Sequence, residues 1–222
     1  TGFADSSADA WAYREYYGAF SHYEDPTVAT GGGDEPADWR RIEELAAFLT
    51  AQVPNNARVL DIGCGNGGLL VALRQRGFTN LTGFDPAPAC TARIEAQGFA
   101  ACRVALPLND LATIRGHLGP FDLIILSHVL EHLYDAQVVV SLLPLLSRGG
   151  FLYLETPDAA RYDTDSFPPL YFFDPEHINH FSAESLEFLG ATLGLMPRVA
   201  GHKSLTLANG SRYPAIFSLF QP

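Results

Sequence analysis

The chain predicts an α/β fold, a mostly parallel sheet covered by helices on both faces. Three observations lead there. Short apolar runs of strand length alternate with stretches of helical period. The connections between them are brief, as βαβ units require. The first strong strand, Arg58 to Ile62, runs straight into a glycine cluster, Gly63-Cys64-Gly65-Asn66-Gly67-Gly68, and a helix with Leu69, Leu70 and Leu73 on one side follows.

Taken in order, residues 1–37 are rich in Gly, Asp, Ser and aromatics and read as an N-terminal lid or extension. Within them Ala8 to Ala19 has the makings of a short helix. Its Tyr13, Tyr16 and Tyr17 would either line a lid or pack on the core. Gly31 to Pro36 is a loop. Asp38 is expected to cap a helix whose apolar stripe is Trp39, Ile42, Leu45, Ala46 and Leu49. After the glycine turn, Leu81 to Phe84 forms a second strand ending at Asp85-Pro86. Pro88 to Gln97 is a helix closed by Gly98. Ala101 to Ala105 is a short strand and Leu108 to His117 a helix. Phe121 to His128 is the most strand-like run of all. Asp135 to Ser147 is helical and bent by Pro144. Gly149-Gly150 turns the chain into a strand from Phe151 to Glu155. Residues 157–181 break the rhythm with four prolines, several aromatics and two histidines, His177 and His180. A connection of that length in a compact domain reads as an inserted substrate loop. Ser182 caps a helix bearing Leu186, Leu189 and Leu193. Met196 to His202 and Tyr213 to Phe220 close the chain as a hairpin around Asn209-Gly210.

Bulk properties narrow the function. The chain has 222 residues, of which 47 % are hydrophobic, enough for one domain with a full core. Its formal net charge of −11 speaks against a nucleic-acid or anionic-membrane partner, since phosphate binding needs clustered Lys and Arg. No apolar run reaches the length of about 18 residues that a membrane span needs. Three scattered cysteines, Cys64, Cys90 and Cys102, form no Cys-x-x-Cys pair, and a reducing cytoplasm is the expected setting. The first residue is Thr1 rather than Met, which leaves room for an upstream segment.

In open α/β sheets the ligand lies beyond the carboxyl ends of the strands. Four predicted strands end there in polar residues: Asp61, Asp85, Ser127-His128 and Glu155. The glycine turn allows a sharp bend and close backbone approach to a ligand, and the helix behind it points N–H groups at that ligand. Gly63, Gly65 and Gly68 satisfy the dinucleotide pattern, so an NAD-dependent dehydrogenase or epimerase is one reading. Asp85 suits ribose hydroxyls in either case. Asp61 separates the two. A carboxylate just before the turn repels a pyrophosphate and welcomes a cofactor with a positive centre and no phosphate. Lys203 is the one lysine, and Val199 occupies the position where a Tyr-x-x-x-Lys pair would need tyrosine.

At these residues the chain resembles class I S-adenosylmethionine-dependent methyltransferases, specifically the subgroup acting on small metabolites, sugars and natural products. Val59 to Gly67 is similar to their first motif. Gly83-Phe84-Asp85 is similar to their ribose-binding strand end, and Phe121 to His132 to their fourth-strand motif. Leu145 to Leu152 resembles the turn into their fifth strand, and His177 to Ser182 a segment of the subgroup. The resemblance runs from about Arg41 to the C-terminus. It implies a three-layer Rossmann-like fold with a seven-stranded sheet whose last strand is antiparallel. It also implies a cofactor-binding domain over residues 38–222, with S-adenosylmethionine held by Asp61, Gly63, Cys64, Gly65, Asp85, Pro86, Ser127 and His128. In many relatives an acidic or polar residue after the third strand contacts adenine. Here that stretch is Val104-Ala105-Leu106-Pro107, with Asn109 and Asp110 beyond, and the adenine contact is open.

Methyl transfer to a hydroxyl, amine or carbon of a small acceptor needs alignment, water exclusion and, for some acceptors, a base. His177 and His180 are the candidate catalytic residues; the alternative is that they pin the loop by hydrogen bonds. His128-Val129-Leu130-Glu131-His132 matches an inverted zinc-peptidase pattern. That chemistry needs both histidines on one helix face, whereas His128 ends a strand, so no metal is expected. His132 either contacts the ligand or supports the residues that do. A third possibility is a non-catalytic cofactor-binding module of a larger protein.

Overall fold

The computed structural model describes residues 2–3, 15, 32–33, 36–102, 119–133, 135–163, 172–173, 176–206 and 210–222. The predicted helix over 8–19 apart from residue 15, with its tyrosines, the adenine stretch 104–110, the helix over 108–117 and Asn209 fall outside them.

Seven strands form the main sheet: β2 (Arg58–Ile62), β3 (Asn80–Phe84), β4 (Ala100–Cys102), β5 (Phe121–Ser127), β6 (Leu146–Pro157), β8 (Met196–Thr206) and β9 (Arg212–Gln221). Their order across the sheet is β4-β3-β2-β5-β6-β9-β8, and β9 alone runs antiparallel to its neighbours. After β2 the chain builds outward through β3 and β4, then returns to β5 on the other side of β2. The order therefore reverses at β2 and β5, and a crevice opens beyond their carboxyl ends.

Alternation along the strands feeds two cores. Leu60, Ile62, Ile124 and Leu126 face one side, with Val139, Leu142, Leu186 and Phe220. Val59, Leu81, Leu123 and Ile125 face the other, with Ile42, Leu45 and Leu49 of α1 (Pro36–Thr50), Leu70 and Leu73 of α2 (Gly68–Gln75) and Ile94 of α3 (Pro88–Ala96). Asp61 interrupts this second face at the sheet's ligand end. The helix α4 (Ala183–Thr192) is capped as expected, by a reciprocal pair. The Ser185 N–H donates to Ser182 Oγ at 3.3 Å, and the Ser182 N–H donates to Ser185 Oγ at 2.9 Å.

Several elements depart from expectation. The helix α1 begins at Pro36, whose ring presets a first-turn φ, so Asp38 sits inside the first turn instead of capping it. The stretch Ala136–Leu145 winds as a 3-10 helix and not an α-helix, with Pro144 inside. Pro144 lacks an N–H, and the β-branched run Val138-Val139-Val140 lowers α-helical preference. Gly149, at φ +80°, lies within β6 and not before it. The pairing with β5 slips there, from Phe121 opposite Leu146 to Leu123 opposite Phe151. A small second sheet, unforeseen from sequence, pairs β1 (Gly2–Phe3) with β7 (Asn179–His180) antiparallel.

Candidate functional site

The first half of the crevice is backbone. Gly63, Gly65 and Gly67 adopt φ of +69°, +51° and +81°, a region costly for any residue with a Cβ. A Cβ on Gly63 would lie 2.4 Å from Val129 Cγ2. The turn is tied to the end of β3: the N–H groups of Gly63 and Cys64 donate to the Phe84 carbonyl at 2.8 and 3.0 Å. Asp85 then clamps the turn. One carboxylate oxygen accepts from the Gly65 N–H and the other from the Ala87 N–H, both at 2.9 Å. A carboxylate oxygen can accept from more than one donor. Pro86 follows Asp85 and is half-buried. The Cys64 thiol is buried, and burial pushes its pKa well up, so it is packing rather than a nucleophile.

Asp61 is 4 % exposed. Burial raises its pKa to about 7; Asp85 adds to the rise and the Arg41 guanidinium opposes it. A desolvated carboxylate beside a bend without side chains fits a ligand that brings its own positive charge, and rejects a diphosphate. The described residues thus suit an adenosyl sulfonium with a free ammonium group.

The second half is made of side chains. His128 is the one non-glycine residue with positive φ (+56°) among those described. It is held by its N–H to the Glu155 carbonyl at 2.9 Å. Its ring lies between two carboxylates, with Nε2 3.2 Å from Glu155 Oε1 and Nδ1 3.3 Å from Glu131 Oε1. Burial opposes the imidazolium, yet Glu131 and Glu155 outweigh it and hold the pKa above the ordinary histidine value. Glu155 is fully buried and receives Lys203 Nζ at 2.6 Å and the Tyr153 hydroxyl. Burial works against its charge, but Lys203, His128 and Arg41 keep the carboxyl well below the usual range. Arg41 reaches over from α1 and donates to Ser127 Oγ at 3.3 Å. Asp158 accepts from His202 Nδ1 at 2.8 Å.

The two loop histidines part company. His180 Nδ1 lies 3.0 Å from the Tyr162 hydroxyl, in an aromatic group with Phe173 and the stacked pair Tyr162–Phe172. Burial lowers its pKa, so it is neutral at pH 7. His177 instead faces His132, with ring centroids 4.8 Å apart. Sequence reasoning missed Arg41, Lys203 and Asp158 as parts of this end of the sheet. Arg41 carried one signal: it neighbours Ile42 at the border of an apolar stripe, where a cation is partly buried. A separate cleft, lined by Arg58, Arg74, Phe78 and Phe99, opens at the opposite ends of the strands.

Residues 37–197 match a family model described as a methyltransferase domain, and the chain belongs to that family. It is 34 % identical over 103 residues to a tRNA U34 carboxymethyltransferase of Wolinella succinogenes, a match covering 46 % of this chain and 37 % of the relative. It is 33 % identical over 120 residues to a ubiquinone biosynthesis O-methyltransferase of Bordetella avium, covering 52 % and 46 %. The chain thus spans half or less of the length of these curated relatives. Among solved structures, magnesium protoporphyrin IX methyltransferase of Synechocystis PCC 6803 with bound SAH shares the fold at TM-score 0.68. That match is 16 % identical and covers 95 % of this chain and 99 % of the other. No helix among the described residues is long and apolar enough to cross a membrane.

Proposed function

We propose that this chain transfers a methyl group from S-adenosylmethionine to a hydroxyl, amine or carbon of a small-molecule acceptor. The observation that carries the reading is the pairing of Asp61 and Asp85 across a bend without side chains. S-adenosylmethionine supplies, when bound, a methyl group already activated on a sulfonium. Asp85, fixed at the end of β3 by the Gly65 and Ala87 N–H groups, holds the ribose hydroxyls. The backbone of Gly63, Cys64 and Gly65 lies against the cofactor, with Pro86 at the border. Asp61 offers its carboxylate to the ammonium group. Arg41, Ser127 and His128 line the side where methyl and acceptor meet.

His180 takes the acceptor's proton when one remains, because burial keeps it neutral. Phe173, 62 % exposed and 5.1 Å from the His180 ring, offers an apolar edge to the acceptor. His177 is the second candidate base. Residues 157–181 form the inserted substrate loop, and residues 1–37 are a lid or an extension ahead of the cofactor-binding domain. Acidity supports a small molecule over a nucleic acid, as does the ubiquinone-pathway relative; the tRNA-modifying relative is the reason to test it. No observation favours the dehydrogenase reading.

Calorimetry with S-adenosylhomocysteine, and with NADH in parallel, tests the proposal. Saturable binding of the first and none of the second is expected. Binding of NADH alone would overturn it, and cofactor binding without turnover on any acceptor would leave a non-catalytic module.

A further inference from the structure

The turn after β5 carries side chains that methyl transfer leaves without a task. The Glu131 side chain is 1 % exposed, and neither carboxylate oxygen accepts a hydrogen bond among the described residues. Its contact of opposite charge is His128 at 3.3 Å, a group that also serves Glu155. A buried carboxylate in that state is costly unless a cation reaches it. His132 and His177 lie beside it, and one ligand atom from each of the three residues lies within 4.8 Å of the other two. His132 already has a ligand's tautomer. Its Nδ1 is 3.0 Å from the Glu176 carbonyl. A carbonyl only accepts, so Nδ1 carries the hydrogen and Nε2 keeps the lone pair.

We propose that Glu131, His132 and His177 bind a divalent transition-metal ion, zinc by donor preference. Two imidazoles and a carboxylate suit zinc, cobalt or nickel, whereas magnesium and calcium take oxygen-only sets. Bonds of about 2.0–2.2 Å bring tetrahedral donors to about 3.5 Å apart. Closing from the observed spacing takes about an ångström, within side-chain rotation. Three protein ligands leave a fourth position for an oxygen ligand. The ion neutralises Glu131 and ties the segment holding His177 and β7 to the turn that follows His128. The ligand set therefore differs from the linear His128-x-x-Glu131-His132 pattern. His128 is engaged by Glu155, and the third ligand comes from the loop.

The test is titration of chelator-treated full-length protein with cobalt(II), followed by visible d–d absorption and calorimetry, then displacement by zinc(II). One ion per chain is expected, with a rise in thermal midpoint. Glu131→Gln and His177→Ala should each weaken cobalt binding by about tenfold or more. His177→Ala tests the site should Glu131→Gln fail to fold, and circular dichroism checks both. Substoichiometric uptake by the parent protein, or undiminished uptake by His177→Ala, overturns the proposal. S-adenosylhomocysteine affinity measured on the same samples tests the methyl-transfer reading separately.

Discussion

The two halves of the crevice are built by different means. Over β2 and β3 the wall is backbone, bent by Gly63, Gly65 and Gly67 and clamped by the single side chain of Asp85. Over β5 and β6 it is a charged cluster in which Arg41, His128, Glu131, Glu155 and Lys203 converge from four segments. The first half is a shape that tolerates no added atoms. The second is a balance of charges in which each member is tolerable only because the others are present.

That contrast predicts distinct failures. Lys203→Met removes a cation from the fully buried Glu155 and should cost about 3–5 kcal/mol in urea unfolding, while S-adenosylhomocysteine affinity in the remaining folded protein stays near the parent value. Gly63→Ala should do the reverse. Strain at positive φ plus the clash with Val129 should cost roughly 2–4 kcal/mol of stability, and calorimetric binding of S-adenosylhomocysteine should be lost. Asp85→Ala should weaken that binding by about 1–3 kcal/mol, the range for a charged hydrogen-bond partner, and unchanged affinity would show that the ribose lies elsewhere.

Asp61 supplies a sign to check. Its folded pKa, about 7, exceeds the unfolded value of about 3.9. Its contribution to stability is therefore best below about pH 4 and is lost as pH rises through about 7. Asp61→Asn should raise stability above neutrality in chemical unfolding and weaken cofactor binding. An ammonium beside Asp61 favours its charged form, so parent binding of S-adenosylhomocysteine should release protons and weaken as pH falls below about 7. Titrations in buffers of different ionisation enthalpy would read this, and a pH-independent affinity would separate Asp61 from the ligand.

The same contrast explains what the sequence disclosed. The backbone half is local: Val59 to Gly68 and Gly83 to Asp85 are contiguous stretches whose glycines and strand-end acids declare their geometry. The seven-stranded sheet with its antiparallel last strand also followed, through the motifs' resemblance to a known family, whereas the order of the strands came from the structure. The charged half is tertiary. Lys203 meets Glu155, Arg41 meets Ser127 and His202 meets Asp158 only after the sheet has formed. Lys203 read as a missing partner for a tyrosine, not as the counter-ion of a buried acid. His177 and His180 read as a pair because they are close in sequence, yet β7 and its surroundings send them to different neighbours. The 3-10 winding of Ala136–Leu145 was masked by an apolar run that satisfies either helix.

The most direct test is a crystal structure of the protein with S-adenosylhomocysteine. The ribose hydroxyls should rest on the Asp85 carboxylate, the amino acid part against Gly63 to Gly65, and the ammonium near Asp61. A crevice filled by the protein's own side chains, or a ligand bound elsewhere, would contradict the account.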